Sequence, residues 1–163
     1  MKRLMALLLL LATAACLPAG RLTSPGASSR IVTPSGPVYV PALCTLMGRE
    51  VRSEAPSGAP VILMWGWSAA TQAQVEDYIR AAIVAVTFDG DEIEGEQSGG
   101  IPYDENAKLF RAVWTAAVGV VDPGVHAITY RLTFREKIFD GVDYYGPGTK
   151  HEKQEDACEL DVN

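Results

Sequence analysis

Past residue 36 the hydrophobic and polar positions change period several times. Val38, Val40, Leu43, Cys44 and Leu46 mark a first strand. Pro60 to Trp67 reads Pro-Val-Ile-Leu-Met-Trp-Gly-Trp, a continuous apolar run preceded by Ser57-Gly58-Ala59. Such a run fits a central strand buried on both faces. Over residues 71–82 the period turns helical, with Val75, Tyr78, Ile79 and Ala82 on one stripe. That spacing predicts a short helix of about three turns. Thr71 is placed to cap it, with Gln74 at the capping-box position.

Strand patterns return after the helix. Ile83 to Phe88 is rich in β-branched residues, and Asp89-Gly90 is a dipeptide that joins antiparallel strands tightly. The return strand begins at Glu92-Ile93, and residues 95–106 are polar and loop-like. Leu109 to Val121 alternates through Phe110, Ala112, Trp114 and Ala116, then stops at the turn Asp122-Pro123-Gly124. Ile128, Tyr130, Leu132 and Phe134 alternate in a half-buried strand, with His126 read as an outward residue. Ile138 to Tyr145 holds another strand around a second Asp140-Gly141 turn. His151 and Glu152 to Asp156 read as a solvated charged loop, and Cys158 to Val162 closes the chain. The whole is mainly β: about seven short strands with turn signals between them, which suits an antiparallel sandwich, and one helix inserted after the second.

Length and composition narrow this further. A chain of 163 residues that is 48% hydrophobic supports one sizeable core and no second full domain. Fourteen basic against twenty acidic residues leave a net charge of -6, the wrong sign for neutralising phosphate backbones. Nucleic acid is therefore not an expected partner.

The N-terminal residues carry an address. Lys2 and Arg3 precede the uncharged apolar run Leu4 to Ala12, and the small residues Thr13, Ala14 and Ala15 follow. This is the three-part pattern of a secretory signal peptide over residues 1–15, too short for a transmembrane helix. Cys16 directly after Ala14-Ala15 resembles the bacterial lipobox, although Thr13 stands where that pattern has leucine. The resemblance implies a diacylglycerol on Cys16 and a membrane anchor at the outer face; ordinary cleavage would release a secreted protein instead. Loss of residues 1–15 removes Lys2 and Arg3 and no acid, moving the charge from -6 to -8. An acidic surface has no attraction to anionic lipid, so membrane association would come from the acyl chains. Residues 16–36, rich in Pro, Gly, Ser and Thr, read as a flexible tether with a root-mean-square span of roughly 25 Å. The folded domain is then 37–163.

With Cys16 acylated or removed, Cys44 and Cys158 are left as a pair, 114 positions apart. Export places them where a disulfide persists, and closing so long a loop contributes about 4 to 5 kcal/mol in the chain-entropy model.

Several stretches resemble bacterial exported immunoglobulin-like domains. Val86-Thr-Phe-Asp-Gly-Asp-Glu-Ile is similar to their aspartate-glycine hairpin, Asp122-Pro-Gly-Val-His-Ala-Ile-Thr-Tyr to a proline-glycine turn opening a strand, and Cys158-Glu-Leu-Asp-Val to a closing strand. The resemblance spans residues 37–162 and implies an immunoglobulin-like sandwich used for adhesion, spacing or recognition, with no catalytic residue. The helix departs from it, as does the order in which Trp65, Trp67 and Trp114 lie between the cysteines.

Candidate chemistry is sparse. Gly66-Trp67-Ser68-Ala69-Ala70 sits between a predicted strand and a predicted helix like a nucleophile elbow, but Ala70 replaces the last glycine. Ser68 with His126 is the sole serine-hydrolase pairing. Asp89, Asp91 and Glu92, with Glu94 and Glu96, offer oxygen ligands for calcium, yet do not fit the twelve-residue calcium loop. Trp65 and Trp67 share one strand face and are expected in the core. Tyr144 and Tyr145 are adjacent, so one must face outward beside a glycine-rich loop, a candidate ligand-binding position. Without a phosphate loop, HExxH or CxxC, no cofactor is expected. The expectation is thus a non-enzymatic module of the cell envelope, exported and lipid-anchored or secreted, whose partner is an extracellular protein or glycan. The alternatives are a small exported hydrolase and a calcium-stabilised adhesion domain.

Overall fold

The computed structural model describes residues 36–46, 49–50 and 52–163. The expected signal peptide, Cys16 and the expected tether up to Ser35 lie outside the described residues. Val38–Pro41 (β1), Thr45–Leu46 (β2), Arg49–Glu50 (β3), Ser53–Ala55 (β4) and Pro60–Ala69 (β5) precede the helix Gln72–Ala81 (α1). Ala82–Phe88 (β6), Asp91–Ile93 (β7), Glu96–Gln97 (β8), Tyr103–Asp104 (β9) and Leu109–Val120 (β10) follow it. Gly124–Phe134 (β11), Ile138–Phe139 (β12), Tyr144–Tyr145 (β13) and Lys153–Val162 (β14) complete the domain.

The helix forms where its stripe and cap predict. Thr71 Oγ1 accepts from the Gln74 amide at 3.3 Å and Gln74 Oε1 accepts from the Thr71 amide at 2.9 Å, a reciprocal capping box. Val75, Tyr78 and Ala81 are buried, whereas Ile79 is partly exposed. At Asp89-Gly90 both residues have positive φ, 52° and 91°, as a tight hairpin between β6 and β7 requires.

Besides two small two-stranded sheets, β2 with β3 and β12 with β13, ten of the strands make two five-stranded sheets. One is ordered β1-β5-β10-β8, with β9 also against β10; the other is β4-β14-β11-β6-β7. Most neighbours are antiparallel, but β1 runs parallel to β5 and β4 parallel to β14. The all-antiparallel expectation is corrected at these two edges. Parallel neighbours need a crossover, and residues 42–59 supply it: the chain leaves the edge of one sheet, lies along the edge of the other, and returns as β5.

Inward side chains from both sheets share one core. Val40, Leu63 and Trp65 of the first sheet belong to the same buried cluster as Val86, Ile128 and Leu160 of the second. Complete burial of a leucine such as Leu63 or Leu160 stabilises by about 1.5 to 3 kcal/mol.

Two segments expected as loops are strands. Within residues 95–106, β8 and β9 pair with β10. Residues 153–156 belong to β14 and pair with Tyr130 to Thr133 of β11. Lys153, Gln154 and Glu155 are exposed while the backbone completes the ladder, so polarity alone points to the wrong element. His126 is likewise corrected: period-2 alternation places it on the inward side with Ile128 and Tyr130, stacked on Phe88 at 5.3 Å.

Candidate functional site

The expected cysteine pair is a disulfide, Cys44–Cys158, with Cα atoms 5.6 Å apart. Cys158 lies in β14, and Cys44 lies where the chain passes from one sheet edge to the other. Asp156 reinforces the join: its Oδ2 accepts from the Thr45 amide at 2.7 Å and its Oδ1 from the Thr45 hydroxyl at 3.1 Å. Cys44, Asp156 and Cys158 form the only cluster of three or more metal-ligating side chains among the described residues. With both sulfurs bonded to each other, that cluster offers a single carboxylate and no metal site.

Ser68 and His126 are not brought together. Ser68 Oγ accepts from Arg111 Nε at 3.3 Å at the helix end of β5. His126 lies in the other sheet, where its Nδ1 is 2.7 Å from Asp89 Oδ2 and its Nε2 is 2.8 Å from the Asp122 carbonyl. Both partners are acceptors, so the imidazolium, donating from both nitrogens, satisfies the site best. The bond to Asp89 accordingly raises the His126 pKa and holds the Asp89 carboxyl below its usual range. This histidine is a clamp between two turns.

The acidic hairpin does not assemble a calcium cage. Asp89 Oδ1 accepts from the Ala127 amide at 2.8 Å while its Oδ2 faces His126. Asp91 stands opposite Phe88 and Glu92 opposite Thr87, and as adjacent strand residues they face opposite ways.

Of the two tyrosines, Tyr144 is exposed and Tyr145 is half-buried, as alternation predicts. The Tyr145 ring meets Trp67 edge-on at 4.8 Å, and burial pushes its hydroxyl pKa up to about 12. Trp67 stacks on Tyr78 at 4.4 Å. Tyr145 is thus part of an aromatic wall of the core. Tyr144 instead sits beside Phe139 at 4.8 Å under the Lys137 ammonium, 4.2 Å from its ring centre.

A further concavity, which sequence reasoning did not single out, lies beside α1. β7 pairs with β6 only over Val86 to Phe88, then the chain crosses from Ile93 to β8 in the other sheet. A groove of about 440 Å³ opens between this crossing and α1. It is lined by the buried Trp65 and Tyr78, by the half-buried Trp114, Val84 and Ile93, and by the exposed Glu92, Glu94 and Gln97. Gly95 is required here: a Cβ would overlap the Trp65 indole. Tyr78 is 1% exposed, and its hydroxyl, with Tyr130 near it, makes no well-aligned hydrogen bond among the described residues. Burial drives the Tyr78 pKa sharply up, so it stays neutral. Trp65 and Trp114 meet through register, Trp114 standing opposite Trp65 across β10 and β5. Only that pairing, 49 residues apart, turns two core-type tryptophans into a groove wall.

Comparisons with family models, curated proteins and solved structures find no match to this chain.

Proposed function

We propose that the chain is an exported, lipid-anchored, non-enzymatic module that binds or spaces an extracellular protein or glycan at the outer face of the cell envelope. Its domain is an immunoglobulin-like sandwich. The observation that carries this reading is the Cys44–Cys158 disulfide. A bond closing so long a loop persists in oxidising compartments and is rare in the cytosol. It agrees with the signal pattern at Lys2 to Ala15 and the position of Cys16. The two sheets on a common core support the sandwich, and their loops and edges supply binding surface rather than a reactive centre. Ser68 and His126 lie in different sheets with other partners, which favours a binding module over a serine hydrolase.

The test is an intact mass of the native protein, recovered separately from membrane and medium, alkylated with and without reduction. The expected species is membrane-bound, begins at diacylated Cys16, and takes up alkylating reagent at Cys44 and Cys158 only after reduction. A full-length cytosolic chain with both thiols open to alkylation would overturn the reading.

A further inference from the structure

We infer that the groove beside α1 is a docking site for an extended peptide segment of a partner protein, with an arginine of that segment seated against Trp114 and reaching Glu92 and Glu94. This rests on the binding-module reading and names its partner chemistry. Three features of the groove converge on such an occupant.

The first is a free strand edge. β6 pairs with β11 over its whole length, Ala82 to Phe88, but β7 covers its other side only from Val86. The edge from Ile83 to Ala85 therefore has no strand partner among the described residues, and it borders the groove through Val84. The Ala82 end is already occupied, since its amide donates to Tyr78 O and its carbonyl accepts from Arg135 Nη1. An extended segment that continues the line of β7 meets the open groups of Val84 and adds a strand.

The second is the shape and lining. A side chain on the inner face of that added strand enters the space vacated where β7 departs for the other sheet. It meets half-buried Trp114, Val84 and Ile93, with Trp65 and Tyr78 buried behind them. An aliphatic stem fits there, and a planar guanidinium stacks on indole faces better than a compact ammonium does.

The third is charge. Glu92 and Glu94 stand at the rim, and neither makes an ion pair among the described residues. Arginine reaches them with its head while its stem stays in the groove. A net charge of -6 draws a basic segment toward the domain. A neutral apolar peptide would leave both carboxylates unanswered, and an acidic one would be repelled.

The probe is a capped hexapeptide of alternating valine and arginine, titrated into the whole chain. Calorimetry gives the affinity, and NMR follows the indole N–H groups of Trp65 and Trp114 with the Val84 amide. Saturable binding should move those three signals together. The same peptide with citrulline for arginine keeps the shape and removes the charge, and should bind about tenfold or more weakly. The double substitution Glu92→Gln with Glu94→Gln, on exposed side chains, should leave the melting temperature unchanged and weaken the arginine peptide by a similar factor. N-methylation of alternate peptide amides should abolish the Val84 response, because it removes the ladder donors. Equal affinity for the citrulline peptide, no effect of the double substitution, or shifts confined to the outer face of β11 and β14 would each overturn the proposal, as would absence of binding. The intact-mass experiment does not depend on the peptide. A surface-anchored chain blind to arginine sinks the groove alone, while peptide binding by a chain found only in the cytosol sinks the display reading alone.

Discussion

The two sheets meet solvent along two opposite sides, and the chain crosses between them on both, with different results. On one side, past Ala42, the crossing is closed by the Cys44–Cys158 bond, the Asp156 contacts to Thr45 and the parallel pairing of β4 with β14. On the other, the crossing from Ile93 to Glu96 rests on Trp65 through Gly95 and leaves the aromatic groove open. Cross-linking and strand pairing make the first side rigid. The second is held by the short β7 and β8 pairings and by the packing of Gly95 on Trp65, which leaves the β6 edge at Val84 and the half-buried Trp114 for a partner. Stability and recognition are thereby assigned to different edges of the same core.

The largest effect expected from breaking this contrast is on the closed side. Replacing both Cys44 and Cys158 with alanine should cost about 4 to 5 kcal/mol in denaturant unfolding. Hydrogen exchange should speed up first in β4 and around Thr45. A loss confined to the groove residues would show that the closed side does not depend on the bond.

Next in size is Gly95→Val, which pushes a branched side chain into the Trp65 indole and should cost about 1 to 3 kcal/mol. Trp65 fluorescence should change while the disulfide stays resistant to reduction. The opposite pattern would merge the two sides into one unit.

Thr71→Ala removes the side-chain acceptor for the Gln74 amide and should cost about 1 kcal/mol. Since α1 carries Tyr78, exchange should rise along the groove wall and not in β14. Unaltered exchange in α1 would mean that packing, and not its cap, holds the helix.

The smallest expected effect is a pH dependence at the turns joined by His126. Its folded pKa is raised above 6.5 by Asp89, so its contribution is fully present below the unfolded value. That contribution is lost as pH rises through the raised folded value. Asp89, with its folded pKa lowered from 3.8, contributes above that value and loses its contribution as pH falls through the lowered one. Thermal melts of the native protein should therefore decline upward from about pH 6.5 by an increment that His126→Gln lacks. Parallel pH curves for the two proteins would refute the clamp.

The periodicities placed β5, β6, β10 and β11 and the helix with its Thr71 cap, because each is encoded in contiguous residues whose spacing repeats every two or 3.6 positions. The Asp89-Gly90 turn was legible for the same reason, since two residues carry its geometry. Errors fell where local polarity competes with long-range pairing. Residues 153–156 look like a solvated loop, yet β11 supplies a ladder that recruits them. The site followed the same division. Cysteine number pointed to the disulfide, and adjacency separated Tyr144 from Tyr145. In contrast, Ser68 is singled out by a local elbow pattern and Asp89, Asp91 and Glu92 by their nearness in sequence, and neither pattern records which distant partner each side chain meets.

By itself, the sequence determined the mainly β class, the single helix, the tight turns and the cysteine pair. Those depend on neighbours along the chain and on the counting of one reactive residue type. Tertiary structure alone decided which edges run parallel, that His126 faces inward, and that β7 stops at Ile93 to leave Trp65, Trp114 and Val84 around one groove. Each of those outcomes depends on which distant backbone occupies the next place in a sheet, a competition that no local pattern records.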